Sequence, residues 1–388
     1  MRLLFVLPRF PYPLDKGDKL RAYHQLVELA KRHEVHLFAL SHSPVEEWQL
    51  EALRPHCASI HVERLRAPEA WWGVLRAFLK GEPLQVGYWT TRRAMRHFQE
   101  YRQSLPCDAM YAQMVRTMKY LGGFQPGGCT TRVLDFQDAL SLNARRRMER
   151  SRGLTRWMLR YECRALQRAE QKAQQLFHTT IIAPADRDAI DSSIAIVPNG
   201  VDTDFFHPSP SAADGESHTL VFTGNMAYAP NVDAACFLVG EVMPLVWASI
   251  PEATVLLAGA DPKPAVKALA GRRVAVSGRL PDIRTAYASA SLFVAPMRIG
   301  SGMQNKLLEA MAMHLPCVTT TLAAAPLGAE DGRHLLVGDN AGQLAERIVS
   351  LLGSDALRGS IADGGHSFVA ERYSWQAAVA PLEEILTH

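Results

Sequence analysis

The densest run of chemistry-bearing residues is Pro296 to Val318, PMRIGSGMQNKLLEAMAMHLPCV. A strand-like apolar run ends at Pro296, a loop holding Gly300 and Gly302 follows, and Lys306 to Met313 reads as a helix with apolar Leu307, Leu308, Met311 and Ala312. Loop amides ahead of a helix start make an anion site, because unpaired N–H groups and the helix dipole both favour negative charge. Arg298 and Lys306 add formal positive charge there, and Glu309, one turn into the helix, offers a carboxylate to vicinal hydroxyls. Other glycine-loop chemistries fit less well. No Gly-Lys-Ser/Thr string makes a P-loop, and no G-x-G-x-x-G follows the first strand, which disfavours a nicotinamide enzyme.

Elsewhere the candidates are sparser. Asp135 and Asp138 follow the run Arg132 to Phe136, and one carboxylate at that spacing should face a strand-end crevice; Asp138 is the choice, with an N-cap for a helix starting at Ala139 as the other reading. Arg116 and Lys119, after the strand ending at Tyr111, either bind an acceptor phosphate or solvate a helix. Asp186-Arg187-Asp188 and Asp202-Thr203-Asp204 are D-x-D strings read here as surface turns, so no metal site is expected. The 6 cysteines lie far apart with no C-x-x-C pair, the pattern of reduced structural thiols. The histidines are scattered and receive no role.

Elements must hold these residues in place. At 388 residues the chain exceeds what one core usually serves, so two domains are expected. Apolar and β-branched runs at Leu3–Leu7, Val35–Leu40, Ser59–Val62, Ala109–Tyr111, Arg132–Phe136, Thr179–Ala183 and Ala195–Val197 leave room for helices between them, the pattern of a parallel, helix-covered sheet. The run Leu3–Leu7 after Arg2 is too short for a secretory leader and reads as a first strand. A Pro/Ser/Gly/Ala-rich break, Pro208 to Ser217, marks a domain boundary. A second series follows at Thr219–Thr223, Thr254–Ala258, Arg273–Ser277, Ser291–Ala295, Cys317–Thr320 and His334–Val337. Three of these runs end in Gly224, Gly259 and Gly278, where a ligand can approach the backbone or a tight turn can start a helix. No stretch of 18 apolar residues occurs, so nothing is expected to span a bilayer.

Charge is uneven. Residues 1–200 hold 30 Lys+Arg against 20 Asp+Glu and residues 201–388 hold 12 against 19, so +10 and −7 give the net +3. An anionic surface or acceptor should therefore meet the first half. Within it, 13 of the residues from Arg145 to Lys172 are Arg, Lys or Glu, interleaved with Leu154, Trp157, Met158, Leu159, Tyr161 and Leu166. A helix lying on an anionic membrane face and a solvated helix packed on its own domain both fit.

The segment from Pro296 resembles the donor-binding region of retaining GT-B glycosyltransferases of family 4, the glycosyl transferases group 1. Their usual pattern is Glu, seven residues, Glu, then Ala-Met-Ala and a Gly-x-Pro-Val-Val strand. Glu309-Ala310-Met311-Ala312 matches, and Leu315-Pro316-Cys317-Val318 matches loosely, with His314 where glycine is usual. Ser301 stands in place of the first glutamate, as in a subgroup sharing the string Asn305-Lys306-Leu307-Leu308-Glu309. Val197-Pro198-Asn199-Gly200-Val201-Asp202 is similar to the family's interdomain segment, Gly278-Arg279-Leu280-Pro281-Asp282 to the turn near the nucleobase, and Pro11 to Arg21 to the glycine loop after the first strand. Where the family usually places Arg and Lys for the diphosphate, this chain has Gly224-Asn225-Met226-Ala227-Tyr228-Ala229-Pro230, and Arg298 with Lys306 would compensate. The pattern, DKGDKLR and GNMAYAPN included, looks like sugar transferases of bacterial exosortase and exopolysaccharide systems.

The resemblance implies an α/β GT-B fold: two Rossmann-like doubly wound domains facing a central cleft, at 1–207 and 208–366, with a C-terminal helix at 367–388 packing back on the first. It implies retaining transfer from a nucleotide diphosphate-sugar to a polysaccharide or lipid-linked saccharide. Lys306, Arg298 and Asp138 would be catalytic. Gly17, Gly224, Asn225, Arg279, Leu280, Gly302, Met303, Asn305 and Glu309 would bind the donor, and Lys16, Asp18 and Arg116 the acceptor. No cofactor, metal or nucleic acid is expected, and the place is the cytoplasm, at the inner face of the plasma membrane. A nucleotide-sugar epimerase of the same fold and a non-catalytic GT-B-like binding protein are the alternatives.

Overall fold

The computed structural model describes residues 1–122, 131–208, 218–300 and 302–388. The chain divides into two compact units, Met1–Pro198 with Ala378–His388, and Asn199–Ala377. The first unit holds a seven-stranded sheet of β1 (Arg2–Leu7), β2 (Glu34–Ser41), β3 (Ser59–Arg64), β4 (Ala109–Gln113), β5 (Thr131–Asp135), β6 (His178–Ile181) and β7 (Ala195–Ile196). The order is β3-β2-β1-β4-β5-β6-β7 and every pair is parallel. Helices cover both faces of such a sheet, so its central strands are continuous apolar runs rather than alternating ones. Leu3 to Leu7 in β1 are accordingly all buried.

The second unit repeats the plan with β8 (Thr219–Thr223), β9 (Thr254–Ala258), β10 (Val274–Gly278), β11 (Leu292–Ala295), β12 (Cys317–Thr319) and β13 (Leu336–Val337), ordered β10-β9-β8-β11-β12-β13. All its pairings are parallel too. In both sheets the strand order reverses beside the first strand, the point at which doubly wound folds open a ligand crevice.

The unit boundary falls earlier than the Pro/Ser/Gly-rich break suggests, because 199–206 is tied to the second unit. Val201 N donates to Tyr373 O, Arg284 Nη1 donates to Phe205 O, and the Phe206 ring meets Tyr287. Residues 209–217 lie outside the described residues. At the other end, the helix Asp355–Arg372 belongs to the second unit, and the return to the first begins in the helix Trp375–Thr387 rather than at 367. There Glu383 takes two hydrogen bonds from Arg32 and one contact from His33.

Two expectations about helices need refinement. Residues Ala229–Ser249 form a helical stretch long and apolar enough, by length and composition, to cross a membrane. Its residues Ala234, Phe237, Leu238, Val242, Met243 and Val246 instead lie in the second unit's core. The charged segment Arg145 to Lys172 spans two helices, Leu140–Glu149 and Gly153–Leu176. In the latter, Leu154, Trp157 and Met158 are exposed whereas Cys163, Leu166, Ala169 and Ala173 are packed in the first unit's core, so the helix packs on its own domain along one part and leaves an apolar part exposed.

Candidate functional site

At the carboxyl ends of β8 and β9 two glycines touch. Gly224 (φ +148°) and Gly259 (φ +144°) occupy backbone conformations that side chains rarely adopt, and a Cβ on Gly259 would lie 1.8 Å from the Gly224 carbonyl oxygen. A Cβ on Gly224 would crowd Asn231 at 2.7 Å and Lys306 Nζ at 3.3 Å. Only glycine satisfies both backbone and space at this strand end.

Lys306 reaches this spot from the first turn of the helix Asn305–Ala312. Its Nζ donates to Asn231 Oδ1, lies 4.7 Å from the Phe222 ring centroid and 3.9 Å from Met297 Sδ. Asn231 is itself fixed, since its Nδ2 donates 2.9 Å to Asn225 O. Among the described residues no carboxylate is within ion-pair distance of Lys306. Burial lowers its pKa to about 8, with nearby Glu309 pulling the other way. An ammonium with three N–H donors, one neutral acceptor and little water is set to receive an anion.

Glu309 stands one turn further along. The wholly buried Tyr287 donates its hydroxyl to Glu309 Oε2 at 2.7 Å, and Thr223 Oγ1 at the end of β8 lies 2.8 Å from the same hydroxyl. Burial raises the Glu309 pKa, opposed by the Tyr287 hydrogen bond and by Lys306. Oε1 takes no hydrogen bond from the described residues. The carboxylate is thus held by one oxygen and open at the other, an orientation suited to accepting from a ligand hydroxyl.

Residues 217–354 match the family described as glycosyl transferases group 1. Phosphatidyl-myo-inositol mannosyltransferase from Mycobacterium tuberculosis is 29% identical over 212 residues, 51% of this chain and 55% of that protein. The chain therefore spans about half the length of the curated relatives it matches. Among solved structures, sucrose-phosphate synthase from Thermosynechococcus elongatus superposes with a TM-score of 0.69 at 15% identity over 99% of this chain and 98% of that one. Anabaena HepE in complex with UDP and glucose gives 0.66 at 16% identity, covering 99% of both. The fold is GT-B, and the match to the group 1 glycosyltransferases falls within the second unit.

In this GT-B chain the remaining residues expected on the donor side take different parts. Asn225 is exposed and shapes its loop, its Oδ1 accepting from Ala227 N at 2.8 Å while its carbonyl locks Asn231. Arg279 is exposed and Leu280 packs against the core. Gly302 is half-buried, Met303 packs on the core, and Asn305 Oδ1 accepts from Asn199 at 3.2 Å. Ser301 lies outside the described residues.

Arg298 departs from its expected part as a partner of Lys306. Its guanidinium makes a two-pronged pair with Asp233 at 2.8 and 3.1 Å, reaches Glu241 at 3.5 Å and stacks over Phe237 at 4.1 Å. In this arrangement the fork is engaged by carboxylates rather than turned to Lys306. Sequence reasoning missed Asn231, Tyr287 and Thr223. The asparagine was within the quoted GNMAYAPN string, whereas nothing in the sequence marks the other two.

In the first unit of this GT-B chain Asp135 and Asp138 part company. Asp135, wholly buried, accepts from Arg21 Nε at 2.7 Å, Tyr111 OH at 2.7 Å and Thr180 Oγ1 at 3.0 Å. Arg21 also donates to the Val197 and Pro198 carbonyls, so this pair ties the helix Gly17–Ala30 to β5 and to the end of the sheet. Asp138 is half-buried, with its pKa raised by burial and by Asp135. Asp186 is buried rather than on a surface turn, and its pKa is raised to about 6 by burial and by Asp138. The second D-x-D string is a turn as expected, with Asp202 Oδ1 accepting from Asp204 N and Phe205 N. Lys16 and Gly17 are exposed, and Asp18 pairs with Arg9 at 2.7 Å.

Arg116 donates its Nε to Gln85 Oε1 at 2.8 Å, and its pKa is lowered by burial and by Arg9. It lines a groove of about 700 Å³ with Trp71, Tyr88, Met158 and Arg147. Beside that groove the helix Ala67–Leu79 leaves Trp71 65% and Trp72 58% exposed, and Trp157 of the neighbouring helix is 55% exposed. So large an apolar surface on one unit is what an interaction face looks like.

Proposed function

We propose that this GT-B chain transfers a sugar, with retention, from a nucleotide diphosphate donor to a polysaccharide or lipid-linked saccharide in bacterial envelope or exopolysaccharide synthesis. The observation that carries this reading is the Lys306 and Glu309 arrangement: an ammonium without a carboxylate partner among the described residues, one helical turn from a carboxylate anchored at one oxygen and free of hydrogen bonds from those residues at the other. As the glycosidic bond breaks, the departing diphosphate gains charge, and the fixed Lys306 ammonium lowers the barrier. Glu309 Oε1 accepts from the donor sugar's hydroxyls. HepE, whose structure carries UDP and glucose, supports a nucleotide donor, and the mannosyltransferase relative's name supports a lipid-linked acceptor.

The first unit serves the acceptor. Arg116 in the aromatic groove is the group for an acceptor phosphate, and Asp138, Lys16 and Asp18 are the further polar groups on that side. The exposed tryptophans and the arginines near them favour peripheral attachment to an anionic membrane on its cytoplasmic side. Because Lys306 supplies the positive charge, transfer needs no metal.

A panel of nucleotide-sugars tests this, reading released nucleoside diphosphate with and without a crude lipid fraction and the anomeric configuration of the product. Release from one donor, stimulated by lipid and giving a retained anomer, is expected. Activity should also survive EDTA; loss that magnesium restores would contradict the metal-free reading, and an inverted product would contradict retention.

A further inference from the structure

The strand β3 and the helix Arg92–Gln103 bring three ligand-type side chains together on the first unit. His61 and Glu63 are two apart on a strand and so share a face, while Arg93 and His97, four apart, share a face of the helix. His97 Nδ1 lies 2.7 Å from Glu63 Oε2, and His61 Nε2 lies 3.8 Å from the same oxygen. The three ligand atoms are all within 4.8 Å of one another.

A buried carboxylate facing a cation and an imidazole is ordinary, and Arg93 with His97 would satisfy Glu63 without more. His61 breaks that account. Its Nε2 is buried and has no hydrogen-bond partner, although it points toward Glu63 and the ring is fixed by stacking on Phe38 at 5.0 Å and 2°. A buried unpaired ring nitrogen costs free energy that a ligand in the gap would recover.

We propose that His61, Glu63 and His97 form a Zn²⁺ site, the ion bound by His61 Nε2, Glu63 Oε2 and His97 Nδ1 with water in a fourth position. Two imidazoles and a carboxylate suit zinc. Bond lengths of about 2.0–2.2 Å in a tetrahedron set ligand atoms about 3.3 Å apart, so the observed separations need shifts of about 1.5 Å or less. Arg93 donates twice to the other oxygen, Glu63 Oε1, at 2.9 and 2.8 Å, and so orients the carboxylate as an outer partner. The side chains of His61 and His97 are 34% and 30% exposed, which leaves a path for the ion and its water. The ion would clip the edge strand β3 to its covering helix.

The test uses the full-length protein, free of any tag, stripped with EDTA and desalted. Zn²⁺ alone is added, and bound metal is counted by mass spectrometry after a second desalting, with Co²⁺ as a spectroscopic stand-in. About one Zn²⁺ per chain is expected, with a raised melting temperature and a visible Co²⁺ d–d band. His61→Gln and His97→Gln, both partly exposed and so compatible with folding by circular dichroism, should each weaken binding roughly 100-fold, at least the cost of losing an outer partner. Absence of bound zinc in the parent protein, or undiminished binding in either folded variant, would overturn the proposal.

Discussion

Burial at Lys306 is strong enough to bring its pKa to about 8 and too weak to discharge it at neutrality, so the ammonium remains a charged group short of water. Glu309 is its complement: Tyr287 fixes one oxygen and the other takes no hydrogen bond among the described residues. If that oxygen holds donor hydroxyls, Glu309→Gln should weaken donor binding by about 1.5 to 3 kcal/mol, the scale of a charge-assisted hydrogen bond, with little change in melting temperature. Calorimetry beside a thermal melt decides it; normal affinity with a large loss of stability would make Glu309 a structural group. Both residues were legible in the sequence, because a lysine and a glutamate three apart after a glycine loop lie on one helix face. Their holders were not. Asn231 and Tyr287 come from the helices Ala229–Phe237 and Arg284–Ala288, 75 and 22 residues away, and pairing at such separations is decided by tertiary packing. The same holds for Arg298, whose charge was visible and whose Asp233 partner, 65 residues distant, was not.

Among the elements, the thirteen strands of the described residues follow the apolar runs closely, since strands buried on both faces write themselves as unbroken β-branched and aliphatic stretches. Polar turns between them are less legible, as Asp186 shows. The D-x-D string looks like a surface turn, yet the helix Pro184–Asp188 carries Asp186 inward to a 4% exposed position near Asp138. A carboxyl raised from 3.8 to about 6 binds its proton more tightly in the folded than in the unfolded chain. Stability from this group therefore falls as pH rises from about 4 to 6, and the cost is fully present above that. Asp186→Asn should remove it, raising stability by about 2 to 3 kcal/mol at pH 7.5 while converging on the parent below pH 4. Thermal melts across that range measure it, and a destabilised variant at pH 7.5 would show that the carboxylate has a favourable partner instead.

At the scale of the whole molecule, the basic excess of +10 in residues 1–200 coincides with the exposed tryptophans of the first unit. The charge bias was readable by counting; the aromatic surface was not, because Trp71 and Trp72 in an amphipathic helix look like core until packing leaves them out. Co-sedimentation with anionic vesicles at low salt, weakened by high salt and by replacing Arg145, Arg146 and Arg147 with Ser, is the expected behaviour. Equal indifference to anionic and neutral vesicles would remove the membrane from the account. The central claim, that the Lys306 ammonium holds a nucleoside diphosphate, is tested most directly by titration calorimetry of UDP and GDP against the parent protein and Lys306→Ala at pH 7 and pH 9. With a pKa of about 8 in the free protein, the better diphosphate should bind the parent about tenfold more weakly at pH 9. Lys306→Ala should bind at least about tenfold more weakly at pH 7, with that pH dependence gone. Equal affinity of the folded variant and the parent at pH 7 would contradict it.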